Sequence, residues 1–369
     1  MGTVHGGSRV VRLAVVGNPG NRRVALFAAA AERAGLPAPR VYPWRDVLLS
    51  GRVPGPDELV RVDSPGEDAE VDRLLRELGS GRPAVPAGHG EILGTAAAFA
   101  GLREALGRVA AGGGRLLSRP ADILAMTAKP RCHALLAAAG VAVPPALPPV
   151  HGYESLRAAM AAAGWSRVFV KPAYGSSASG VLALAAGGRR RVTAVTSVEL
   201  SAGRIFNNLR VRRYDDEASI AEIVDRLAPD GLHVERWYPK AALGGRVLDL
   251  RVVVIAGRPR HVVVRTGRSP MTNLHLGNAR GDVAAVRAAA GEQAWQAAMR
   301  TCARAAACFP GTLHAGVDLM FRARWGDHAV AEVNAFGDLL PGVLADRLDT
   351  YGAQVAAVLD GWAGAPCAT

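Results

Sequence analysis

Residues 248–266, LDLRVVVIAGRPRHVVVRT, set two valine-rich runs on either side of a glycine-containing turn. β-branched residues pack well on a pleated surface, and the Gly-Arg-Pro between the runs breaks any helix. The stretch therefore predicts an antiparallel hairpin turning at Gly257-Arg258-Pro259. HAGVDLMF and HAVAEVNAF, separated by RARWGD, predict a second hairpin, and RVTAVTSVEL with NNLRVRRY adds two more strands. A chain with these pairs must carry antiparallel sheet through its later two thirds.

The opening third has a different rhythm. A strand, VVRLAVVG, runs through the turn NPGN into an alanine-rich helix ending at Gly35. RVYPWRDVL, LVRVDSPGE with VDRLLRELG, and a helix over 96–111 closed by Gly112-Gly113-Gly114 continue the alternation. Alternating strands and helices read as an open, mostly parallel sheet. The expected fold class is α/β then α+β, with a Rossmann-like open sheet over residues 1–118 and two further units over 119–230 and 231–369. A single helical run is expected from Ala121 to Gly140, a long helix from Ala285 to Phe309, and a last helix from Thr350. The turn VGNPGNRR lacks the G-x-G-x-x-G spacing of a dinucleotide site, so it reads as a tight turn.

Composition narrows the function. The 369 residues carry a net charge of +12, yet the arginines are scattered. The one dense run, Arg189-Arg190-Arg191, has no aromatic residues interleaved for base stacking, so no nucleic-acid partner is expected. Cys132, Cys302, Cys308 and Cys367 form no C-x-x-C pair and read as reduced thiols. No stretch is long and apolar enough to span a bilayer, and a cytoplasmic, membrane-free protein is expected.

Two patterns carry chemistry. In VFVKPAYGSSASGVL a strand delivers Lys171 to a small-residue loop containing Gly175, Ser176, Ser177 and Gly180. Bare backbone N–H groups and one cation suit a polyanion such as ATP. In the second hairpin, Glu332 and Asn334 lie two apart on one strand face with Asp318 on the neighbouring strand. Two carboxylates and an amide oxygen suit Mg²⁺ held against phosphates. The chain has three lysines, Lys129, Lys171 and Lys240, which leaves 41 of its 44 basic residues as arginine. Where composition has converted nearly every cation to arginine, a retained lysine marks a site that needs a compact point charge. That argument is strongest for Lys171, because of its loop, and weakest for Lys240.

The ordered set of Lys129, KPAYGSSASGV, VERWYP, DLRVVV, TNLHLG, GVDLMF and AVAEVNAFG resembles the ATP-grasp superfamily. It is most similar to the carboxylate–amine ligases grouped with glutathione synthetase, D-alanine–D-alanine ligase and the ribosomal-protein glutamate ligase. The resemblance covers roughly residues 120–345. It implies a pre-ATP-grasp domain followed by a two-lobed ATP-grasp fold, an ADP-forming ligase acting through an acyl phosphate, and ATP and Mg²⁺ as cofactors. Its substrates would be a small-molecule or peptide carboxylate, anionic in character, and an amine; a homodimer is left open. By the same resemblance Lys129 reaches the α-phosphate, and Lys171 holds the α/β-phosphates beneath a lid of Gly175, Ser176, Ser177 and Gly180. Glu235, Trp237 and Tyr238 form the adenine hinge, and Arg251 and Arg265 stabilise the transferred phosphoryl group. Asn273 and Gly277 match the family's Asn-Leu-His segment, while Asp318, Glu332 and Asn334 match the magnesium ligands. The chain departs at Ala178-Ser179, at Asn278 where a second glycine is usual, at Phe336-Gly337-Asp338, and in lacking an acidic ribose ligand in KAALGGR. A catalytically degenerate ATP-binding partner or regulator of the same fold is the alternative.

Overall fold

A computed structural model of the chain describes residues 11–175, 178–187, 191–336 and 340–362. Strands β1 (Arg12–Gly17), β2 (Arg40–Pro43), β3 (Glu58–Val62) and β4 (Arg115–Leu116) form a parallel sheet in the order β2-β1-β3-β4. Leu13 through Val16 are all buried, as a strand covered on both faces requires. The crossover helix Arg22–Arg33 is capped by Asn21, whose side chain accepts from the Arg23 N–H. Helices Ala69–Ser80 and Thr95–Ala111 cross so closely that a Cβ on Gly79 would stand 1.9 Å from the Ala97 carbonyl oxygen, and one on Gly101 1.9 Å from that of Leu75. Only glycine permits that approach.

The second sheet is antiparallel, in the order β8-β7-β6-β5-β9, from β5 (Arg167–Pro172), β6 (Leu182–Gly187), β7 (Arg191–Ser201), β8 (Arg204–Tyr214) and β9 (Leu232–Arg236). Helices Tyr153–Ala162 and Glu217–Leu227 pack on one face, where Leu156, Val168, Val170, Ile223, Val224 and Val234 form the core. Strand alternation then turns Phe169, Lys171, His233 and Glu235 to the other face.

The third sheet contains β10 (Ala242–Leu243), β11 (Arg246–Ile255), β12 (Arg258–Gly267), β13 (Ala279–Gly281), β14 (His314–Phe321) and β15 (His328–Asn334). Its order is β13-β12-β11-β14-β15, with β10 on β11. One face packs on helix Glu292–Ala307, and this core, with Leu250, Val252 and Val317, runs on into Val16 and Val60 of the first sheet and Leu106 of helix Thr95–Ala111. The opposite face of β11 changes character along its length. Val253 and Ile255 pack in the cluster with Tyr351 and Val355 of helix Thr350–Leu359, whereas Asp249 and Arg251 stand beyond its cover.

The expected α/β and α+β classes are both present. Three details differ from the sequence reading. The β11–β12 hairpin turns at Ala256-Gly257, both with positive φ, one residue earlier than expected. Two such residues make the primed turn whose twist matches antiparallel strands, and Pro259 falls inside β12 beside a register shift, where its missing N–H is tolerated. The helical run to Gly140 is two helices, Pro120–Thr127 and Lys129–Ala138, divided at Ala128, which stands two residues before Pro130 with extended backbone angles. The expected helix over 285–309 is also two, Val283–Ala290 and Glu292–Ala307, because Gly291 adopts φ 79 and ψ 151. Among the described residues no helix is long and apolar enough to cross a membrane.

Candidate functional site

The free faces of the second and third sheets enclose a cleft of about 130 Å³, walled by Lys129, Lys171, Glu235, Arg251, Asp318 and Glu332. A larger hollow of about 570 Å³ lies at the start of β1, β2 and β3, lined by Arg12, Arg40, Tyr42, Arg52 and Glu58. It holds none of the expected residues and sits at the ends of the parallel strands opposite to those where open α/β sheets bind ligands. The cleft is therefore the candidate.

Strand pairing builds the cleft floor. Arg251 on β11 lies opposite Asp318 on β14, Asp318 opposite Glu332 on β15, and Gly316 opposite Asn334, so the three expected metal ligands share one face. Arg251 grips Asp318 with Nε and with Nη2, the latter at 3.0 Å. Arg265 on β12 reaches the same carboxylate at 3.2 Å through Nη2 and gives Nε to Asp249 at 2.7 Å. Lys240 bonds Asp249 Oδ2 at 3.0 Å and Thr272 Oγ1 at 2.8 Å, and the Thr272 hydroxyl donates to Asp249 as well. The result is a row of alternating charge, Arg251–Asp318–Arg265–Asp249–Lys240. Burial would push both carboxyls up, but the guanidinium of Arg265, with Arg251 at Asp318 and Lys240 at Asp249, holds them well below the usual range.

The roof is tied to the floor by lysines. Lys171 Nζ bonds Glu235 Oε2 at 2.7 Å, and Glu235 Oε1 meets His233 Nε2 at 2.9 Å. Burial opposes the Glu235 charge, yet Lys171 and His233 outweigh it and hold the carboxyl at about 2. Burial lowers the His233 pKa, and the hydrogen bond and charge of Glu235 oppose this. Lys129 opens helix Lys129–Ala138, gives its ammonium to the Gly175 carbonyl at 2.7 Å, and stands 3.8 Å from Glu332. Burial lowers its pKa and the Glu332 carboxylate counters this.

Most of the expected residues converge here. Lys129, Lys171, Glu235, Tyr238, Arg251, Arg265, Asn273, Asp318, Glu332 and Asn334 all line the cleft. Trp237 does not; its ring packs on Phe169 at 5.1 Å between centroids. Tyr238 lines the cleft, but its hydroxyl is buried with no hydrogen-bond partner among the described residues, and burial pushes its pKa up to about 12. Asn273 also caps the short helical turn Leu274–Leu276 through the His275 N–H. Gly180, with φ 72, leads the loop into β6, and Ala178 beside it adopts φ 58, the left-handed region. Ser176, Ser177, Gly337 and Asp338 lie outside the described residues. Asn278, one of the departures from the family pattern, ties its own loop together by donating to the carbonyls of Met271 and Asn273.

Asp318, Glu332 and the Asn334 amide offer hard oxygens on one face, which fits Mg²⁺. Among the described residues no group of three His, Cys, Asp or Glu gathers around one point, so the amide oxygen is needed to complete the set. Lys129, Lys171, Lys240, Arg251 and Arg265 stand against Glu235, Asp249, Asp318 and Glu332 in the walls, an excess of cation that fits a phosphate chain. Sequence reading missed Asp249 and Thr272 and gave Lys240 the least weight. The signals available were Asp249 two residues before Arg251, hence on the same strand face, and the scarcity of lysine.

No family model and no curated protein matches the chain. Solved structures do. D-cycloserine synthetase DcsG is 17% identical over 94% of this chain and 99% of its own, with a TM-score of 0.58. The ATP-grasp ligase PsnB, complexed with a minimal precursor, is 17% identical over 95% and 99%, with a TM-score of 0.53. D-alanine–D-alanine ligase from Bacillus anthracis, complexed with ATP, is 12% identical over 95% and 96%, with a TM-score of 0.51. The chain has the ATP-grasp fold.

Proposed function

We propose that the protein is an ATP-dependent carboxylate–amine ligase that releases ADP and phosphate. The observation that carries the reading is the convergence of Lys129, Lys171, Arg251 and Arg265 with Asp318, Glu332 and Asn334 in one cleft of an ATP-grasp fold. Residues 119–230 would supply the roof and lid, and 231–369 the hinge and floor. The working place would be the cytoplasm.

Each group has a role that follows from its position. Lys129 and Lys171 meet the phosphates as point charges, and Phe169, Met271 and Met320 offer an apolar slot for a base. Mg²⁺, held by Asp318, Glu332 and the Asn334 amide oxygen, would neutralise the phosphate oxygens. A substrate carboxylate oxygen attacks the γ-phosphorus, the bond to the β,γ-bridging oxygen breaks, and ADP leaves with that electron pair. Arg251 and Arg265 stabilise charge on the phosphoryl oxygens in flight. An amine then adds to the acyl carbon and phosphate departs, leaving an amide and releasing a proton from nitrogen. The loop from Gly175 to Gly180 excludes water from the acyl phosphate.

The test is ADP release against a panel of amino acids and peptides, with product masses determined. Lys171→Met and Glu332→Ala are expected to abolish release, on the order of 100-fold or more, as loss of a charge stabiliser does in other sites. Undiminished turnover in both variants removes the assignment. A nucleotide-binding partner protein is the second reading, favoured by Asp318 being engaged by two guanidiniums. ATP binding with no ADP release across the panel selects it.

A further inference from the structure

All three lysines of the chain line the cleft, yet they do different work. Lys129 and Lys171 join roof to floor: Lys129 stands near Glu332 on β15, and Lys171 approaches the Ala331 carbonyl at 3.5 Å. Lys240 joins parts of the floor to one another. It follows the hinge, bonds Asp249 in the middle of β11, and bonds Thr272 in the segment leading to the Leu274–Leu276 turn.

The two arginines differ in the same way. Arg251 has Asp318 as its acidic partner, whereas Arg265 has both Asp318 and Asp249. Anything that draws Asp318 elsewhere frees Arg251 but leaves Arg265 held through its Nε. That hold depends on Asp249 staying charged and in place. Lys240 and Thr272 supply two contacts to its Oδ2, so Oδ1 remains turned toward Arg265. A buried carboxylate with three partners is rigid in a way one with a single partner is not. A compact ammonium reaches both Asp249 and Thr272, and Lys240 is retained in a chain that elsewhere uses arginine.

We propose that Lys240, acting with Thr272 through Asp249, is a positioning residue that fixes Arg265 along the cleft floor while Arg251 is free to exchange partners. This deepens the ligase reading and rests on it for the meaning of Arg265. It does not require Lys240 to touch nucleotide.

Lysine scarcity makes the test direct. Protein labelled with ¹³C at the lysine ε-carbon gives three side-chain signals, assigned by single Lys→Arg variants. On adding AMP-PNP with Mg²⁺, the Lys129 and Lys171 signals are expected to move and the Lys240 signal to stay within its linewidth. Hydrogen exchange of the Arg265 Nε–H, assigned with Arg265→Lys, is expected to quicken at least 10-fold in Lys240→Met and to lie between that rate and wild type in Lys240→Arg, which keeps the charge without the compact head. Thr272→Val, a milder change, should give a smaller acceleration and serves if Lys240→Met does not fold. A Lys240 signal that moves as far as that of Lys171 overturns the proposal, because Lys240 is then a nucleotide ligand. Unchanged Arg265 exchange in Lys240→Met, or in Thr272→Val where the former does not fold, overturns it too. If no lysine signal moves, the nucleotide reading falls, and the exchange comparison still decides whether Lys240 positions Arg265.

Discussion

Glu235 is the residue on which the roof's charge balance turns. Its folded pKa of about 2 lies below the free value of 4.5, so its contribution to stability is complete above that value. It is lost as pH falls from about 4.5 toward 2, and the shift corresponds to roughly 3 kcal/mol. Urea midpoints measured across this window should fall for the wild type and fall less steeply for Glu235→Gln, where Asp249 and Asp318 still titrate. Asn278 invites a second substitution. Asn278→Gly removes two hydrogen bonds within the 271–278 loop and should cost about 1–3 kcal/mol by chemical denaturation, while nucleotide affinity stays within a few fold. At this scale the sequence was readable where a residue stood out from its surroundings, as Lys171 did before its small-residue loop. Asp249 was not, because an aspartate in the run LDLR carries no mark of the three partners that approach it from other segments. Lys240 carried the mark of rarity but no local pattern to support it.

Elements were legible wherever hydrophobic period and punctuation agreed. Both hairpins of the third sheet, the alternation of the first third and the last helix follow from the chain alone. Breaks within alanine-rich stretches did not, since high helix propensity on both sides hid them. Gly291 shows the reason: with φ 79 and ψ 151 it occupies backbone space closed to residues with a Cβ, so one composition yields two helices. Gly291→Ala should cost about 1–3 kcal/mol, read from urea unfolding, although nothing lies within 4 Å of the added methyl group. Gly101→Ala should cost at least as much for the opposite reason, with ordinary helical backbone but a carbonyl at 1.9 Å. Thermal melts of the two variants, together with Gly107→Ala as a helix-interior control with open space, separate strain from collision.

For the molecule as a whole, the way the sheets share cores was the least legible feature. Periodicity assigns an apolar face to β11 but not the partner that covers it, and here the same core serves the third sheet and the first. The two sides of the cleft meet through a small apolar contact in which Val181 packs with Met271 and Leu276. The enclosed volume of about 130 Å³ is below the several hundred Å³ that ligands of nucleotide size occupy, so the sides must part to admit one. Met271→Ala should loosen the contact and raise the nucleotide association rate several-fold in stopped-flow fluorescence. Lysine distribution has one more consequence, a practical one. A surface that uses arginine throughout presents no side-chain amine outside the cleft, and Lys129 and Lys171 are each followed by proline. Acylating reagents, coupling resins and isotopic amine tags, indiscriminate on most proteins, are addressed on this one to the α-amine and three shielded lysines. Their occupancy by a ligand can be read as the loss of up to three labels from a single intact mass.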